Sequence, residues 1–132
     1  RMRGRFTSSN EVQRDQLVWG ELGWLSRPKT TSASAATVVE VTLHPGQGHD
    51  FHKHPNQEET IYVIAGEITQ WIETEQCTLG PGDSAFVEAD TVHASFNTAD
   101  QPARLIVVLG PCVGEEGYEL VDVSDELPWK TL

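Results

Sequence analysis

The chain has 132 residues, with 9 basic and 20 acidic side chains and a formal net charge of −11. That length holds one domain, large enough to bury a core without disulfide staples. A chain this acidic, with no basic stripe, is a poor partner for nucleic acid or an anionic membrane surface. No apolar run approaches the ~18 residues that a membrane span needs.

Residues 1–33 are polar, with Leu17, Trp19, Trp24 and Leu25 as isolated apolar anchors. The basic start has no apolar stretch behind it, so no secretory leader is expected. This segment is read as an N-terminal extension that packs on its own barrel or swaps between two. Residues 28–35 read as a loop. Residues 34–112 then form a barrel of short β-rich runs. Thr37–Leu43 is rich in β-branched residues and stops at Pro45 and Gly46. Residues 48–54 extend again, Pro55 to Glu58 forms a turn, and residues 59–64 make a strand broken at Gly66. Strands follow over 68–72, 84–87, 91–96 and 104–109, with a turn at Gly80 to Asp83. Many short strands and no sustained helical periodicity imply an all-β sandwich or barrel. Residues 113–132 form an acidic C-terminal segment, with six acids and no cation from Glu115 to Glu126.

Two cysteines, Cys77 and Cys112, lack C-x-x-C spacing, so reduced thiols in a cytoplasmic protein are expected. Cys77 lies in a strand-like segment and reads as a buried structural thiol rather than a nucleophile.

The histidines carry the chemistry. His52 and His54 are two apart, so on a strand they share a face. If Pro55 to Glu58 is a hairpin loop, Glu59 stands opposite His54 on that same face, with Cβ atoms about 5 Å apart. Two imidazoles and a carboxylate suit zinc, iron, manganese, nickel or copper. His49 has the opposite parity to His52 and should face away, while His44 lies across a Pro-Gly turn. Lys53 should point outward, and Glu58 should be solvated.

The pattern Gly46-x5-His52-x-His54-x4-Glu59-x6-Gly66 resembles the first motif of the cupin family. Gly82-x5-Glu88-x-Asp90-x2-His93-x3-Asn97 resembles the second, with Glu88 and Asp90 where the family has proline and glycine. Asp90 must then accept a conformation that glycine usually supplies, which Asp tolerates better than most residues. The resemblance implies a jelly-roll barrel in which His93, not identifiable from spacing alone, completes a His52, His54, Glu59, His93 set around one divalent transition metal. It also implies a homodimer.

One fold hosts many reactions. The similarity points to a small metalloenzyme, dioxygenase-like, acting on a small enolic or aromatic molecule. A metal-dependent sugar or uronate isomerase or lyase, and a non-catalytic metal- or ligand-binding barrel, remain alternatives. Strand parity sends Glu59, Ile61, Val63 and Ala65 into the lumen and Thr60, Tyr62 and Ile64 outward. Gln57, Gln70 and Asn97 are the polar candidates for the pocket wall. Phe51, Tyr62, Trp71 and Phe86 are the aromatic ones, though for each a core role is the stronger reading.

Overall fold

A computed structural model describes residues 3–132. Two antiparallel sheets dominate it. The larger has six strands in the order β1 (Gln13–Leu17), β2 (Gly20–Ser26), β3 (Thr37–Leu43), β10 (Ala103–Gly110), β5 (Glu58–Ala65) and β8 (Ser84–Val87). The smaller has five: β11 (Val121–Asp122), β4 (Gly48–Lys53), β9 (His93–Phe96), β6 (Ile68–Ile72) and β7 (Glu75–Leu79). The fold is the all-β jelly roll that the sequence implies, with its strands grouped into two sheets rather than one closed ring. Among the described residues, no helix is long and apolar enough to cross a membrane.

Period-2 alternation builds the core. In β3, β5 and β10 every second residue is buried, and Val39, Val41, Leu43, Ile61, Val63, Leu105, Val107 and Leu109 form one apolar layer. Ile68 and Leu79 of the smaller sheet close against it. Parity in β5 is as read from the sequence: Val63 is 0% exposed and Tyr62 47%.

The first 33 residues supply two strands that the sequence did not announce. β1 and β2 form a hairpin that joins the larger sheet through β3. Their polar residues are those of a sheet margin, with β1 largely exposed. The expected loop over 28–35 contains one helical turn, Pro28–Thr31, with proline at its start, where a missing N–H costs nothing. β7 is the strand-like segment around Cys77. It is an edge strand with four of its five residues exposed, so Cys77 lies at the surface and not in the core. Of the four cations in the first fourteen residues, Arg1, Arg3, Arg5 and Arg14, the first lies outside the described residues. Arg5 donates to the Thr30 carbonyl and Arg14 pairs with Glu21 and Glu40. The acidic C-terminal segment is met by Arg27 and Lys29, both through Glu116.

The turn before β9 adopts the backbone that the sequence demands. Asp90 has φ of 63°, its N–H donates to the His54 carbonyl, and its carboxylate pairs with Lys53 at 3.2 Å. The aspartate thereby clasps the end of β4 where glycine would only permit the bend.

Candidate metal centre

His52, on β4, stands directly opposite His93, on β9, in the smaller sheet. His54 lies just past the end of β4. Glu59 reaches them from β5 of the larger sheet. β4 and β5 therefore do not form the expected hairpin: Pro55 to Gln57 carry the chain from one sheet to the other, and Glu59 meets the histidines across the space between sheets. The residues that parity grouped nevertheless converge, because His52, His54 and Glu59 all turn into the space between the sheets. One candidate ligand atom from each of the four lies within 4.8 Å of all the others, and all four residues are buried.

The imidazoles are held in one tautomer. Nδ1 of His52 is 2.6 Å from the Asp50 carbonyl, Nδ1 of His54 is 2.7 Å from that of Glu119, and Nδ1 of His93 is 2.9 Å from that of Thr91. A carbonyl oxygen can only accept, so each Nδ1 carries a proton, and in the neutral ring each Nε2 is left with its lone pair. These Nε2 atoms turn toward Glu59. His93 Nε2 is 2.7 Å and His54 Nε2 3.2 Å from Glu59 Oε1, yet Glu59 Oε1 and His93 Nε2 are buried without a hydrogen-bond partner. Lone pairs facing a carboxylate at this range repel unless positive charge stands with them. The donor set therefore fits a divalent cation, whose charge would be reduced to net +1 by one carboxylate and three neutral imidazoles.

The titration behaviour has the same cause. Burial would raise the Glu59 carboxyl, but the neighbouring His93 and His54 hold it well below the ordinary range. Burial and repulsion from His49 and His93 push His52 well down. Burial also pulls on His93, but the Glu59 charge outweighs it and raises that imidazole. Without an ion, a shared proton is the only cation the cluster has.

His49 corrects the sequence reading. It does not face away: its ring stacks on His52 at 3.7 Å between centroids and on Trp19 at 4.7 Å. β4 pairs His49 with Ser95 and His52 with His93, so three residues of β4 span two of β9. This bulge inserts one residue and turns His49 to the same face as His52. His49 is nevertheless not one of the four converging residues. His44 is exposed.

The cluster opens on a cavity of about 240 Å³. Its walls are mainly apolar, with Trp19 and Trp24 from the first hairpin, Leu105 and Val107 from β10, and Tyr118 and Leu120 from the C-terminal segment. Among the described residues, no lysine or arginine lines it. None of the polar residues proposed from sequence lines it either. Gln57 and Asn97 are spent on backbone groups, and Gln70 on Ser95 and the Trp71 carbonyl. Phe51 and Trp71 pack in a separate cluster, and Tyr62 and Phe86 are exposed. Val63 points inward but lies in the core, away from the cavity. Six of the walls that sequence reasoning missed come from outside the central barrel segment, where the isolated Leu17, Trp19 and Trp24 were the only signal.

A family model described as a cupin domain matches residues 39–109, more than half of the chain. Over 124 residues the chain is 26% identical to "Polyketide synthase CurC" of Streptomyces cyaneus, covering 94% of this chain and 80% of that one. It is 35% identical over 60 residues to quercetin 2,3-dioxygenase of Bacillus subtilis, a stretch covering 46% of this chain and 18% of the relative. A conserved protein with a double-stranded beta-helix domain from Klebsiella pneumoniae aligns with a TM-score of 0.70 at 26% identity, over 89% of this chain and 97% of the other.

Proposed function

The chain belongs to the cupin family, and we propose that it is a small metalloenzyme of dioxygenase-like type acting on a small enolic or aromatic molecule. His52, His54, His93 and Glu59 would hold one divalent transition metal, which when bound supplies a Lewis acid with coordination positions left for substrate or dioxygen.

The observation that carries the reading is the combination of three Nε2 lone pairs and an unpartnered carboxylate oxygen opening on an apolar cavity. The cavity walls exclude water and suit a flat, weakly hydrated molecule. A sugar would leave several hydroxyls unpaired there, at a cost of about 1–3 kcal/mol each. The lack of an arginine fork argues against a dicarboxylate. His49 is a polar wall group beside the centre, available to orient a bound substrate, while the Ser95 hydroxyl proton is committed to Gln70 Oε1. The relatives named for polyketide synthesis and quercetin dioxygenation fit the same substrate class.

The test is oxygen uptake by protein loaded separately with iron, nickel, copper, manganese or zinc, over a panel of enols, catechols and flavonols. Metal-dependent uptake with at least one compound is expected. Turnover of uronates without oxygen would favour an isomerase or lyase, and tight binding without turnover would make the barrel a carrier.

A further inference from the structure

Two of the three tautomer contacts are local. His52 and His93 donate to carbonyls two residues before them, whereas His54 donates to the Glu119 carbonyl, 65 residues away. We propose that residues 116–123 form a strap that completes the metal centre, and that Gln57 is the positioning residue that seats it. This rests on the reading of His54 as a ligand.

Gln57 is 1% exposed, and its amide is committed on both sides. Oε1 accepts the Glu119 N–H at 3.1 Å, and Nε2 donates to the Gly117 carbonyl at 3.0 Å and the Pro111 carbonyl at 2.8 Å. These bonds hold the backbone that leads directly into the one carbonyl that reaches His54. The Thr37 hydroxyl donates to the Gly117 carbonyl at 2.7 Å. A Cβ on Gly117 would lie 2.2 Å from the Thr37 hydroxyl oxygen, so only glycine lets the strap lie this flat. Asn56 donates to the Glu119 carboxylate from its backbone N–H at 2.9 Å and its side chain at 2.6 Å. Arg27, buried over the Trp24 ring, anchors Glu116 at 2.8 Å. Past the contact, Val121 and Asp122 pair with Lys53 and His52.

A strap that only covered the cavity would need Tyr118 and Leu120, not a buried amide that grips the Gly117 carbonyl and the Glu119 N–H just ahead of the Glu119 carbonyl. Fixing the Nδ1–H of a ligating histidine sets its ring orientation and raises its basicity, and loss of such a partner costs about ten-fold or more in metal affinity. The strap also lies beyond residue 109, where the match to the family ends.

The experiment uses the full chain, stripped with EDTA and titrated with cobalt(II), reading affinity and the visible d–d spectrum. Gln57→Ala is expected to weaken binding about ten-fold and to alter the spectrum. Asn97→Ala is the control: Asn97 is equally buried and bridges the Leu43 and Gln101 carbonyls and the Ala99 N–H. It should lower Tm but leave cobalt affinity and spectrum unchanged. Glu119→Ala, which removes the exposed latch to Asn56, should show a smaller loss in the same direction, and it carries the test if Gln57→Ala does not fold. Wild-type affinity and spectrum in the strap variants, or an equal loss in Asn97→Ala, would overturn the proposal. No cobalt uptake by the wild type would instead overturn the metal centre itself, and the strap with it.

Discussion

The two sheets turn opposite chemistries toward each other. Apart from Glu59, the inner face of the larger is aliphatic, from Val39 through Leu109. The inner face of the smaller carries His52, His93, Ser95 and Gln70, all buried. The smaller sheet recovers its apolar burial on the outside, where Phe51, Val92 and Ala94 pack with Trp71 and Phe96 beneath Val123 and Trp129 of the C-terminal segment. Fully burying side chains of this size stabilises by about 1.5–3 kcal/mol each. A half-barrel can therefore dedicate its lumen face to polar donors, provided another segment covers its back. The inversion of polarity between two facing sheets marks the site.

The strongest way to break this contrast is to remove donors from the polar face. His52→Ala and His93→Ala should each lower metal affinity by a hundred-fold or so, beyond the loss typical of a supporting contact, as read by metal analysis after gel filtration. His44→Ala and His49→Ala should keep their metal. Equal losses at His49 and His52 would show that the bulge in β4 adds a fifth ligand.

The aliphatic face should respond in stability instead. Leu105→Ala, at a fully buried position of the larger sheet, should cost about 3 kcal/mol in urea unfolding, with metal content per folded chain unchanged. Phe51→Ala should cost about as much, from the back of the polar sheet. A Phe51 variant of wild-type stability would show that the C-terminal cover contributes little.

The smallest effect is one of pH. In metal-free protein, burial lowers His52 and takes His49 down to about 4. The unfolded chain then binds more protons, so the contribution of these residues is complete above about 6.5 and is lost as pH falls toward 4. His93, raised by Glu59 despite its burial, works in the opposite direction: its contribution is present below about 6.5 and fades as pH rises through its folded value. His49→Phe, which keeps a flat ring between Trp19 and His52, should reduce the loss of stability on acidification from 6.5 to 4, measured as urea midpoints in EDTA. A profile as steep as that of the wild type would show that His49 is not held neutral by burial.

How much of this was legible in the residues depended on the range of the signal. Alternation identified β3, β5 and β10 and the inward side of Ile61 and Val63, because period 2 is local. The four candidate ligands came from two sources: parity brought together His52, His54 and Glu59, and the family motif added His93. The pairing of β4 with β9 rather than β5 was hidden, since a turn-like Pro55 to Gln57 reads alike whether the chain doubles back or crosses to another sheet. The bulge that turns His49 inward has no mark in the sequence. Neither has the seating of Glu119 against His54, which depends on a contact between distant parts of the chain. The cavity walls were misjudged for the same reason, with Trp19, Tyr118 and Leu120 arriving from the two ends of the chain.

The most direct test of the central claim is the stoichiometry of cobalt(II) taken up by EDTA-stripped wild-type protein, side by side with His52→Ala and Glu59→Gln. The geometry predicts one ion per wild-type chain, and no stable uptake by His52→Ala at the same protein concentration, while Glu59→Gln binds far more weakly. A folded His52→Ala protein that still takes up one ion per chain with wild-type affinity would contradict it.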